Sequence, residues 1–77
     1  MRFIDNDGKT YKSTTKKDLA QELFQISWAK IYADDRLEWC KQCSVRVYEM
    51  HGYLFEFSDE VGFIDEMIFY GLIREVN

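Results

Sequence analysis

Two Trp, five Tyr and six Phe stand in a chain of 77 residues, and this density of rings sets what the chain can fold into. A domain of this length buries only about 60 to 65% of the surface its unfolded chain exposes, so its core has to be built from few, large side chains. Rings bury the most area per residue, which makes a folded core credible without a disulfide or metal staple. The chain reads as one α+β domain spanning residues 1–77, with no linker, repeat or low-complexity segment.

The turn chemistry orders the elements. Arg2-Phe3-Ile4 and Thr10-Tyr11-Lys12 flank Asp5-Asn6-Asp7-Gly8, and Asp-Gly supplies the positive φ that a tight hairpin requires. Thr14 or Thr15 caps a following helix, with Asp18 completing a shortened capping box. Its stripe comprises Leu19, Ala20, Leu23, Phe24, Ile26 and Ile31, which puts the helix end between Ala29 and Tyr32. A second helix starts at Asp34-Asp35 and stops at Gly52, with Leu37, Cys40, Cys43, Val47 and Met50 on one face. Tyr53 to Phe57 alternates as a strand does; Ser58 then caps a helix that runs to Tyr70 and closes at Gly71, and Leu72 to Val76 makes a last strand. The expected order is β-β-α-α-β-α-β. The third and fourth strands are expected parallel through a right-handed crossover, in a mixed four-stranded sheet covered by helices.

Trp39-Cys40-Lys41-Gln42-Cys43 copies the W-C-x-x-C of thioredoxin-like proteins, but that site needs a strand leading into it and a cis-proline opposite the pair. The chain contains no proline. Mid-helix, on the face that carries Leu37 and Val47, the two cysteines read as packing thiols. With His51 they make three zinc ligands where a structural site takes four, so no metal and no cofactor is expected. Gly8-Lys9-Thr10 ends like a P-loop, but Phe3 occupies the upstream glycine position; a calcium loop aligned on Gly8 would put Phe3 and Thr14 at its first and last ligands. The only histidine has no nucleophile or acid placed beside it, so no catalytic residue is assigned and the chain is not expected to be an enzyme.

Charge is unevenly spread. Residues 1–30 carry six Lys/Arg against four Asp/Glu, and residues 31–77 carry four against ten, giving +2 and −6 within a net −4. An acidic domain attracts neither phosphate backbones nor anionic membranes at long range. The longest apolar run, Met67 to Ile73, is far short of the roughly 20 residues that cross a bilayer, and Phe3-Ile4-Asp5 makes no signal-peptide core. A cytoplasmic location with reduced thiols is the expectation. Lys9, Lys12, Lys16 and Lys17 are the candidates for an anion or nucleic-acid contact, with Lys16 and Lys17 beside free N–H groups of a helix start.

The strongest pointer to function is surplus aromatic surface. In the last helix Val61, Ile64, Met67 and Ile68 fill the core stripe, with Phe63 and Tyr70 at its edge. Phe69 falls on the opposite side, framed by Asp65 and Glu66. A ring rimmed by acids suits a protein interface, and Trp28 with Tyr32 forms a second candidate.

Phe3-Ile4-Asp5 followed by Gly8-Lys9-Thr10-Tyr11, then Ser27-Trp28, Arg46-Val47, and Phe63-Ile64 leading to Gly71-Leu72-Ile73, resembles small uncharacterised proteins of bacterial phages and integrated mobile elements. The resemblance implies a setting and no mechanism. The expectation is therefore an interaction or accessory regulatory module that binds an unidentified protein or itself. The alternative is a nucleic-acid-linked role, either direct binding through the four lysines or acidic mimicry of nucleic acid.

Overall fold

The computed structural model describes residues 2–76, apart from the side chain of Trp28. Its elements are β1 (Arg2–Asp5), β2 (Thr10–Tyr11), α1 (Lys16–Ile26), a 3-10 turn (Trp28–Tyr32), α2 (Arg36–His51), α3 (Glu60–Phe69) and β3 (Ile73–Val76). The class is α+β: a small sheet and three α-helices, of which α3 packs beside β3 and against both α1 and α2.

The hairpin forms where Asp7-Gly8 directs it. Phe3 pairs with Tyr11 and Ile4 with Thr10, Gly8 takes φ 85°, and Asp5 Oδ1 accepts from the N–H groups of Asp7 and Lys9, both at 2.9 Å. All three helices start on side-chain caps: Thr15 accepts from the Asp18 N–H, Asp35 from Glu38 and Asp59 from Gly62. The last cap is Asp59 and not the expected Ser58. Gly52 ends α2 in the left-handed conformation at φ 75°.

The sheet differs from expectation. It has three strands in the order β2-β1-β3, both pairings antiparallel, and not four in a mixed arrangement. Tyr53 to Phe57 forms no strand. Its alternating rings are used for side-chain packing on α3 instead of backbone pairing: Tyr53 and Phe55 stack on Tyr70 with centroids 4.6 and 5.5 Å apart, and Phe57 meets Phe63 at 5.4 Å. The only β1 edge not held by β2 is taken by β3, in the register Phe3 to Glu75 and Asp5 to Ile73. A crossover to a parallel neighbour has no strand to start from.

Helix α1 stops at Ile26, earlier than its stripe suggested. Ser27 leaves helical geometry at ψ 128°, and its hydroxyl caps the 3-10 turn by accepting from the Ala29 N–H at 3.2 Å. Ile31 is consequently carried out of the core and is 73% exposed. The core consists of Phe3, Tyr11, Leu19, Ala20, Trp39, Cys40, Phe55, Phe63, Ile64 and Ile73. Phe63, expected at the stripe's edge, lies at its centre, and Val61 sits outside. Trp39 makes edge contacts with Phe24 and Phe63 at 5.6 and 5.8 Å, so one ring joins all three helices. Arg36 Nε donates to Glu60 Oε1 at 3.0 Å, a second tie between α2 and α3.

Candidate functional site

Phe69 occupies the last turn of α3, about 140° around the helix from the fully buried Ile64, and helical geometry turns it away from the core. The chain does not fold back to cover it. The Gly71 N–H bonds to the Ile68 carbonyl at 3.0 Å and the Leu72 N–H to that of Met67 at 2.9 Å, a reciprocal helix stop with Gly71 at φ 75°. This stop sends the chain into β3, and the Phe69 ring remains 77% exposed.

Around it lies an open concavity of about 500 Å³ lined by Leu54, Glu56, Asp65, Glu66, Phe69 and Tyr70. The structure thus brings Phe69, Asp65 and Glu66 together and adds Leu54, Glu56 and Tyr70. The Tyr70 ring is perpendicular to Phe69, with centroids 5.0 Å apart, and its hydroxyl donates to the Leu54 carbonyl at 3.0 Å. Tyr70 is fixed in turn by its stack with Tyr53, and Tyr53 by His51 at 5.2 Å. The exposed ring therefore stands on an ordered aromatic ladder. Every charged side chain lining the concavity is a carboxylate. Leu54 and Glu56 were missed in the sequence because they were assigned to one face of an expected strand, and no local spacing links them to Phe69.

The second aromatic candidate divides. Tyr32 is 67% exposed at the end of the 3-10 turn, where its carbonyl accepts from Gln42 Nε2 at 2.9 Å. Tyr32 is not part of the Phe69 concavity. The side chain of Trp28 lies outside the described residues.

The four lysines do not converge. Lys9 stands 5.4 Å from the Tyr11 ring centroid and Lys12 lines a depression with Arg2, Tyr11 and Thr14, so these two adjoin one ring while Lys16 and Lys17 lie elsewhere. Lys17 adjoins Asp59 and Glu60. The ammonium of Lys16 binds Asp65, which holds it protonated above the usual lysine range and spends its charge at the margin of the acidic concavity.

Cys40 is buried and Cys43 half-buried, both as thiols. Burial pushes the Cys40 thiol up to about 12 and raises that of Cys43, which the neighbouring Arg46 partly offsets. Neither is a thiolate at neutral pH. Among the described residues no three His, Cys, Asp or Glu side chains gather as metal ligands, and no helix is long and apolar enough to cross a membrane.

Compared with protein-family models, curated proteins and solved structures, the chain matches none.

Proposed function

We propose that this protein is a small interaction module that binds a protein segment through the Phe69 surface, the segment carrying basic side chains next to apolar ones. The observation that carries this reading is the exposed Phe69 ring, held on the Tyr70 ladder and rimmed by Glu56, Asp65 and Glu66. A pre-positioned ring contributes contact area at little ordering cost, and Glu56 and Glu66 favour a cationic partner while opposing acidic ones, Asp65 being paired with Lys16. The phage or mobile-element setting, which rests on the sequence resemblance, belongs to the same proposal. Direct nucleic-acid binding is less favoured because the lysines are dispersed and Lys16 is already paired.

The test is a selection of random displayed peptides on the immobilised protein, run in parallel on Phe69→Asp. Peptides with Lys or Arg beside Leu, Phe or Trp, enriched on the native protein and lost on the variant, support the reading. The same peptides recovered on both proteins, or no enrichment on either, would refute it. Light scattering over a concentration series shows whether a second copy of the chain is itself such a partner.

A further inference from the structure

A second concavity, of about 340 Å³, opens where α1, α2 and α3 meet, and it shares no residue with the Phe69 surface. Leu23, Val47 and Met67 line it over the buried rings of Trp39 and Phe63. Ile26 and Met50, also in its lining, are 54% and 74% exposed, so apolar surface continues from the core to the outside.

The polar side chains of this groove are few, and none is acidic. They are the Ser27 hydroxyl, the Cys43 thiol, the Arg46 guanidinium and the His51 imidazole, with no carboxylate among them, in a chain whose net charge is −4. Arg46 is exposed and forms no ion pair among the described residues; the two ion pairs there are Lys16 with Asp65 and Arg36 with Glu60. Its Nη2 donates to Cys43 Sγ at 3.1 Å, which draws the guanidinium to the groove while using one donor on a weak acceptor. Ser27 Oγ accepts from Trp39 Nε1 and the Ala29 N–H, so its own O–H remains a donor.

We propose that this groove binds a small amphipathic carboxylate, a medium-chain fatty acid being the simplest example. The chain lies along Leu23, Val47 and Met67 above Trp39, and the carboxylate takes the paired N–H groups of Arg46. The volume is near the lower bound of small-molecule sites, about 300 Å³, and such sites combine apolar walls with a few orienting polar groups. A planar guanidinium matches a carboxylate through two parallel bonds, and Arg46, which forms no ion pair among the described residues even with Glu49 one turn further along α2, is available for an anion.

The test is titration of sodium decanoate, below its micellar range, into isotope-labelled protein, following amide and methyl resonances, with decanol and decyltrimethylammonium as head-group controls. Saturable shifts are expected at Leu23, Ile26, Val47, Met50 and Met67. Arg46→Glu should weaken binding by about tenfold or more, and Arg46→Lys, which keeps the charge but loses the two parallel bonds, by a smaller factor. Because Arg46 is exposed, both variants keep the core, which unchanged shifts elsewhere will verify. The proposal is overturned if no saturable shift occurs in the groove, if decanol or the ammonium compound binds as tightly, if Arg46→Glu binds like the native protein, or if the shifts centre on Leu54 and Phe69.

Discussion

The indole Nε1 of Trp39 donates to Ser27 Oγ at 3.1 Å, across 12 residues. Trp39 is 5% exposed, so this hydroxyl supplies a buried donor with its acceptor while also capping the 3-10 turn that follows α1. Two functions meet in one oxygen. Ser27→Ala removes both and should cost about 2 kcal/mol, read as a lower urea midpoint at unchanged slope.

Tyr11 and Asp5 make the hairpin sensitive to pH in both directions. The Tyr11 hydroxyl donates to Asp5 Oδ2 at 2.7 Å. That bond, together with the Lys9 and Asp7 N–H groups, holds the Asp5 carboxyl below its ordinary 3.8. The Asp5 contribution is therefore present above about pH 4 and lost as the pH falls through the lowered folded value. Burial, then the bond to Asp5, raises the Tyr11 phenol above its ordinary 10.0. Its contribution is present below about pH 10 and lost as the pH rises toward the folded value. Stability should decline on both flanks, and Tyr11→Phe should flatten the alkaline one; urea midpoints from pH 3 to 11 check this.

Gly62 lies in the first turn of α3, a helical position where alanine should not help. An added Cβ would lie 3.0 Å from Phe57 Cβ and 3.3 Å from Asp59 Oδ1, the oxygen that caps α3. Phe57 Cβ sits next to the backbone and cannot swing away, and Asp59 Oδ1 is restrained by its cap bond to the Gly62 N–H. In place of the roughly 0.5 to 1 kcal/mol gain that alanine ordinarily brings to a helix interior, Gly62→Ala should destabilise by about 1 to 3 kcal/mol in thermal unfolding.

Phe69 should separate binding from folding. The Phe69 ring meets Tyr70 edge-on and is otherwise largely exposed, so Phe69→Ala should cost about 1 kcal/mol, far below the roughly 3 to 5 kcal/mol of deleting a core Phe. Phe63→Ala, at a ring 2% exposed, supplies the contrast in the same denaturation experiment.

Thiol chemistry should be slow and unequal. Iodoacetamide at neutral pH should label Cys43 gradually and leave Cys40 unmodified until the protein unfolds, as peptide mass mapping will show. Equal labelling of both in the native state would contradict the burial of Cys40.

Local signals in the chain were sufficient where a few neighbouring residues settle the structure. Asp7-Gly8 placed the hairpin, Thr15 and Asp35 placed two helix starts, and Gly52 and Gly71 placed two helix stops, since each depends on a cap or a positive φ within one turn. The outward direction of Phe69 followed from helical period. The alternation of Tyr53, Phe55 and Phe57 misled because a period of two reports which side chains share a face, and not whether their backbone finds a strand to pair with. Leu54 and Glu56 entered the candidate site only through that difference, whereas the groove beside Arg46 was not legible because it is assembled from three helices.

By itself the sequence determined the hairpin, the starts of α1 and α2, the stops at Gly52 and Gly71, the aromatic core composition and the exposed ring, because these rest on interactions spanning a few residues. The tertiary structure alone decided that β3 lies antiparallel to β1, that the 53–57 segment packs by its rings, and that Lys16 is neutralised by Asp65 across 49 residues. Those outcomes depend on which distant groups compete for one edge, one ring face or one charge, and that competition is settled only when the whole chain is compact.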